Sequence, residues 1–438
     1  MSTQSATDLA RLDRLPRWPW TNGLLANLGG SFFFAFFDIV VIGAALPVII
    51  TDFDVSASAA AWAVTASLIG LVLGEFLGAT LATRKGRVFT LRSALWVFSI
   101  GMILSACASG LGWLIVARFI AGIGTGADIA VAVTYISEIC PARMRGKITG
   151  FTTVCGYVGI AIVPILAAIL LPQFTWGWRV LFAFGALGSV VIVLTRRSMP
   201  PSPRSLADNG EEQQLTELVD QAEARVLAKV GELPPLADSV TVDRPDSEST
   251  GKRRWALLAV LAIAWIFYYF GNYGWLVAAP TILTENGFGL ASSLAFIAIA
   301  NVGLIVGAVT SYLISDRFER KRILLLALVV WALALSAIGL VGTRASIAIF
   351  GFVAAFTIGL VVPTFYTYTA EHFSNRMRPM SMAFTDGIGH LGAAAAPIIL
   401  IGMTLHNAFL AMAGSGLVAA ALLLRTRGTK GRALEELA

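Results

Sequence analysis

Two distant stretches of this chain end in the same way. Residues 135–146, YISEICPARMRG, and residues 368–379, YTAEHFSNRMRP, hold a glutamate and two arginines in one order and spacing. These are Glu138, Arg143 and Arg145 in the first, and Glu371, Arg376 and Arg378 in the second. The offset is 233 residues, and it recurs at Pro47 and Pro280, Arg84 and Arg317, Arg87 and Arg320, Gly156 and Gly389, Gly159 and Gly392, and Pro164 and Pro397. Matches at one offset across five hydrophobic segments exceed what composition produces. The chain is two copies of one unit.

Each copy contains six apolar runs of roughly 20 residues, the length that crosses a hydrocarbon core of about 30 Å. They lie near 24–50, 58–82, 89–109, 112–139, 148–171 and 178–195, then near 255–283, 292–315, 322–341, 345–369, 380–401 and 406–424. With 57% hydrophobic residues, 13% charged and a mean hydropathy of +0.78, the chain falls outside the soluble globular class. Lipid forces every backbone polar group into helices or a closed barrel. The run lengths select an all-α membrane protein with twelve transmembrane helices.

The net charge of +6 follows topology. Almost all Lys and Arg fall in the tails and even-numbered connections, Arg179 and Arg344 lie on the other side, and Arg118 lies inside a helix. Positive-inside bias therefore puts both termini in the cytoplasm, and nucleic acid is not an expected partner. The expected organisation is a cytoplasmic tail at 1–20, a first half at 21–200, a cytoplasmic linker with an amphipathic helix at 201–254, a second half at 255–425, and a tail at 426–438. Residues 1–20 lack the short apolar core of a signal peptide. Cys107, Cys140 and Cys155 have no paired spacing, so neither disulfides nor a metal site is expected.

Charge within apolar runs marks the candidate sites, because such a residue must be paired, neutral or near water. Asp38 sits mid-way in the first run, Glu75 in the second, Arg118 and Asp128 in the fourth, and Asp386 with His390 in the eleventh. Glycines at 122, 124 and 126 are expected to interrupt the fourth helix. Asp128 lies ten residues from Arg118, roughly 15 Å along a helix, and is left without an evident partner. It reads as a substrate or proton ligand, or as a carboxylate bonded to loosened backbone. Asp386 and His390, at i and i+4, share a helical face. Tyr157, Tyr268, Tyr269, Asn272, Tyr273, Asn301 and Tyr366 form polar or aromatic faces that lipid disfavours, and are candidate substrate contacts.

These residues resemble the major facilitator superfamily over essentially the whole chain. TRKGR (residues 83–87) is similar to the G-x-x-x-D-R-x-G-R-R loop signature, with Thr83 in the place of aspartate. The second copy keeps Asp316–Arg317 and Arg320–Lys321, with Glu319 in place of glycine. Arg118, Gly122 and Gly124 resemble the R-x-x-x-G-x-G signature of the fourth helix. YISEICPARMRG and PPSPR resemble the sugar-porter patterns E-x-x-P-x-x-x-R-G and P-E-S-P-R, with Pro201 replacing the glutamate. GIGTGAD is similar to a stretch in phosphate and organic-acid symporters.

The resemblance implies two six-helix bundles around a central cavity lined by helices 1, 4, 7 and 10, with helices 2, 5, 8 and 11 flanking it. It further implies that Asp38 and Arg118 pair, either permanently or as a proton-coupling device in which loss of the pairing lets the carboxylate take up a proton. In the resembled fold helices 2 and 11 face each other. By residue count Glu75, Asp386 and His390 lie at depths of roughly 12, 9 and 15 Å, so Glu75 is expected either to meet a protonated His390, with Asp386 competing for the same proton in a coupling cluster, or to be a buried neutral glutamate bonded to backbone. Arg84, Arg87, Glu138, Arg143 and Arg145, with Asp316, Arg317, Arg320, Glu371, Arg376 and Arg378, are expected to form ion pairs that close the cytoplasmic side.

The expected function is secondary active transport of a small polar organic solute, a sugar or an organic acid, by proton symport across the inner (plasma) membrane. The expected unit is a monomer that needs no cofactor. A proton-coupled efflux antiporter and a membrane-embedded solute sensor are the alternatives. An enzyme is not expected, since no phosphate loop, nucleophile motif or metal-ligand cluster is present in the sequence.

Overall fold

The structure, a computed structural model, describes residues 2–196, 199–236, 251–314, 317–373 and 378–428, with the main chain alone at 251–254, 378 and 379. Among these residues, twelve helices are long and apolar enough to cross a membrane. A short helix α1 (Thr3–Asp13) comes first. The first half follows as α2 (Asn22–Asp52), α3 (Ala57–Lys85), α4 (Arg87–Ala106), α5 (Leu111–Ile139), α6 (Arg145–Leu170) and α7 (Gly177–Thr195). Two linker helices, α8 (Pro203–Asn209) and α9 (Glu212–Val230), lead to the second half. Its first span joins α10 (Gly251–Tyr273), a π-helical turn (Gly274–Ala278) and α11 (Ala279–Glu285). The rest are α12 (Leu290–Ile314), α13 (Arg320–Val341), α14 (Arg344–Glu371), α15 (Arg378–Leu400) and α16 (Leu405–Leu424).

Polar residues set where spans begin. Ser56 accepts from the Ala59 amide at the start of α3, and Thr404 does the same for Asn407 at the start of α16. Thr343 and Ser346 form a reciprocal capping box on α14. Such caps satisfy amides that a helix start leaves without partners.

The duplication in sequence is a duplication in packing. In the first half α3 lies on α5, α4 on α5 and α7, and α2 on α6; in the second α12 lies on α14, α13 on α14 and α16, and α10 on α15. The glycines of α5 do not interrupt it: the helix is continuous from Leu111 to Ile139. They mark close backbone approach instead. A Cβ at Gly122 would stand 2.0 Å from the carbonyl oxygen of Ser67, and one at Gly126 2.0 Å from that of Leu71. Small residues at such crossings let helices touch along their main chains, which replaces the hydrophobic driving force absent in lipid.

The halves meet along α3 with α15, α6 with α12, and α2 with the π-helical turn and α11. Thr65 Oγ1 donates to the Ala394 carbonyl at 2.8 Å across this boundary, buried from solvent.

Within the expected tail at 1–20, Thr3–Asp13 is helical. α1 packs on α9, where Arg11 contacts Asp8, Asp220 and Glu223, and Arg14 contacts Glu223. Leu12, Leu15, Trp18 and Trp20 share one apolar core with Leu206, Leu215, Val219 and Val226. The amphipathic linker helix thus buries its apolar face against α1 and α8, in a core continuous with Trp20, Leu24 and Leu28.

Candidate functional site

Arg118 and Asp38 form the buried core of the first half. Arg118 Nη1 donates to Asp38 Oδ1 at 2.7 Å, and Nη2 reaches Ser67 Oγ at 2.9 Å. The second carboxylate oxygen of Asp38 accepts from Thr125 Oγ1 at 2.9 Å. The guanidinium also lies over the Phe182 ring, 5.3 Å from its centroid. Both side chains are almost wholly excluded from solvent. A charge pair this dry is held by geometry and by the bonds around it.

Asp128 is not the unpartnered carboxylate expected. Its Oδ1 lies 2.7 Å from Arg196 Nη1, and Ser31 donates to its other oxygen. Arg196 also donates to Asn27 Oδ1 and to the Leu91 carbonyl, at 3.0 and 2.8 Å. Arg196 follows directly on the last turn of α7, among the basic residues that flank this span. In sequence it reads as part of a positive-inside cluster, and only helix packing turns it inward.

Three further ionisable groups converge where α3 meets α15. Glu75 Oε1 lies 3.5 Å and Asp386 Oδ1 3.9 Å from His390 Nδ1. Tyr269 and Tyr366 both donate to Asp386 Oδ1, at 2.7 and 2.6 Å, and Tyr273 Oη stands 3.1 Å from His390 Nε2. His390 Nδ1 is 3.0 Å from the Asp386 carbonyl. That contact favours a proton on Nδ1, leaving Nε2 to accept from Tyr273 in the neutral ring. The Tyr269 ring lies 4.5 Å from the imidazole, and Trp265 stacks on Phe365 at 4.1 Å behind it. The depths counted from the sequence thus meet in space across the boundary between halves.

The other substrate candidates are buried neutral groups. Among the described residues, no protein atom hydrogen-bonds to the hydroxyl of Tyr157 or Tyr268, to Oδ1 of Asn272 or to either amide atom of Asn301. Unsatisfied polar atoms in a dry interior are costly, so groups of this kind suit a polar ligand.

The expected closing network takes another form. Arg87 holds Glu138, with Nη2 at 3.0 Å from Oε1, and Ser202 of the PPSPR stretch donates to Glu138 Oε2 at 2.5 Å. The repeat copies the pair: Arg320 lies 2.9 Å from Glu371. Both pairs join helices of one half, α4 to α5 and α13 to α14, and do not bridge the halves. The reason is geometric: each arginine opens a helix whose neighbour in the same half ends at the glutamate. Arg145 pairs with Asp13 of α1 at 2.6 Å. Arg84, Arg143 and Arg317 are exposed. Asp316 and Arg376, and the side chain of Arg378, lie outside the described residues.

A family model of sugar (and other) transporters matches residues 23–438. The chain is 30% identical over 424 residues to a protein of Bacillus subtilis (strain 168) described as a metabolite transport protein, covering 94% of each chain. It is 26% identical to a niacin transporter of Acinetobacter baylyi, covering 98% of this chain and 99% of that one. Among solved structures it is similar to a D-xylose-proton symporter, with a TM-score of 0.73, 22% identity and coverage of 95% and 100%. That likeness carries the fold: twelve helices in the major facilitator arrangement.

Proposed function

The chain belongs to the sugar (and other) transporter family of the major facilitator superfamily, and from that premise we propose that it is a proton symporter of a small, neutral, polyhydroxylated solute. It works by alternating access, one half rocking against the other. Its seat is the inner membrane, with both termini cytoplasmic, and a single chain suffices.

The observation that carries the choice of solute is the balance of buried charge. Among the described residues the two buried arginines, Arg118 and Arg196, are each held by a buried aspartate. The remaining basic side chain near the boundary, His390, already stands between two carboxylates. A carboxylate solute would meet no free cation there. A sugar would meet Tyr157, Tyr268, Asn272 and Asn301, neutral groups with bonding capacity to spare. This favours the sugar over the organic acid.

The coupling residue in this reading is Asp38. Its arginine partner sits on α5 while Asp38 sits on α2, so a shift of α5 against α2 would open the pair to proton uptake. The test is counterflow in proteoliposomes with labelled pentoses, hexoses and aromatic carboxylates, with and without an imposed pH gradient. Exchange of a sugar, driven uphill by an inward proton gradient, is the expected result. Exchange of carboxylates alone would overturn the choice of solute, and no exchange of any solute would point to a sensor.

A further inference from the structure

The cluster between α3 and α15 has the composition of a metal site and lies where the two halves meet. Glu75, Asp386 and His390 each bring one ligand atom to within 4.8 Å of the others. A divalent cation bound tetrahedrally at about 2.1 Å from N and O ligands spaces them about 3.4 Å apart. The Glu75–His390 separation of 3.5 Å already matches, and Asp386, at 3.9 Å, needs to close by about half an ångström. One imidazole with two carboxylates is a donor set of borderline nitrogen and hard oxygen, suited to Zn²⁺, Co²⁺ or Mn²⁺.

Glu75 supplies an independent sign. It is 7% exposed, and among the described residues its carboxylate receives no hydrogen bond. Its one partner is His390, at a distance too long for a bond of full strength. Glu75 Oε1 therefore faces His390 Nδ1 without a full-strength bond and has lone pairs available to a cation.

The surrounding groups fit the same purpose. Tyr269 and Tyr366 both donate to Asp386 Oδ1, the oxygen 3.9 Å from Nδ1, so a cation displaces one of these bonds or takes Asp386 by its other oxygen, and Tyr273 stands against the far ring nitrogen of His390. With a cation on Nδ1, Nε2 carries the proton and donates to the Tyr273 hydroxyl. Outer bonds of this kind orient metal-binding imidazoles and carboxylates. The cation replaces the contact between Nδ1 and the Asp386 carbonyl.

We propose that Glu75, Asp386 and His390 bind one divalent transition-metal cation of the Zn²⁺ class, and that the bound cation ties the first half of the protein to the second. Cation binding is independent of which solute is carried. Its consequence, arrest of transport by the tie, rests on the alternating-access reading.

The two are separable by experiment. Purified full-length protein, stripped of metal and of any affinity tag, is titrated with Co²⁺ in detergent while the visible absorption of coordinated Co²⁺ is followed. One equivalent should bind and be displaced by Zn²⁺. Glu75→Gln and His390→Gln should each weaken binding by at least about tenfold, and Tyr273→Phe by about tenfold through loss of the outer bond. His406→Gln, at the start of α16, should leave it unchanged. Absence of a Co²⁺ signal in the wild type, or equal affinity in Glu75→Gln and wild type, overturns the site. If His390→Gln fails to fold, Glu75→Gln and Tyr273→Phe still decide. Counterflow should then fall with Zn²⁺ and return with a chelator; binding without inhibition would keep the site and overturn the tie.

Discussion

Arg196 Nη1 lies 2.7 Å from Asp128 Oδ1, in a pair that solvent does not reach. The guanidinium also holds Asn27 of α2 and the main chain of α4. One side chain after the last helix of the first half therefore fastens three of its other helices.

Removing one partner of such a pair strands a charge in a dry interior, at a cost of about 3–5 kcal/mol. Arg196→Ala should lower the thermal unfolding midpoint in detergent markedly. The double variant Arg196→Leu with Asp128→Leu should recover part of the loss. Equal stability of Arg196→Ala and wild type would show that the pair holds nothing together.

The pair of Asp38 with Arg118 is predicted to differ in kind. Asp38→Asn should retain counterflow yet lose accumulation driven by a pH gradient, since the amide keeps the shape but takes up no proton. Accumulation at the wild-type level in this variant would remove Asp38 from coupling.

The contact of α1 with α9 is partly exposed, and each ion pair there contributes about 1 kcal/mol or less. Glu223 nonetheless serves both Arg11 and Arg14. Glu223→Ala should hasten tryptic cleavage after Arg11 and Arg14 several-fold without unfolding the spans. Leu12→Ala, which removes a buried anchor of the same core, should hasten it further. Unchanged cleavage in both variants would mean that α1 is held by other contacts.

His372, just past the end of α14, is held below the ordinary value of 6.5 by burial, against the opposing pull of carbonyls and of Glu371. The unfolded chain therefore binds a proton that the folded form resists. Stability from this site is complete at neutral pH and falls as pH drops through about 6.5 towards the lower folded-state value. His372→Gln should flatten the pH dependence of the unfolding midpoint between about pH 7 and about pH 5. An unaltered slope would show that the acid sensitivity lies elsewhere.

The membrane architecture was legible in the sequence because lipid imposes a local rule. A run of the right length must be a helix, wherever it later packs. The 233-residue offset then fixed the duplication, and the signatures around Arg118 and residues 83–87 led to the family. Depth along a helix is also a local quantity, a rise of about 1.5 Å per residue. That is why Glu75 and His390 could be set at comparable depths from residue counts.

What residue counts do not carry is rotation about a helix axis and the choice of neighbour. Arg196 and Arg197 look alike at the end of a span, yet packing turns Arg196 inward onto Asp128. Arg87 and Glu138 read in sequence as parts of a network closing the cytoplasmic side, and helix adjacency pairs them with each other within one half. Gly122 and Gly126 looked like breaks and are points of main-chain contact. The sequence by itself determined which segments span, how they repeat and how deep each charge lies, since these follow from chain length and solvent. Tertiary structure alone decided which charges meet, because a buried ion takes whichever partner the packed helices bring within about 3 Å.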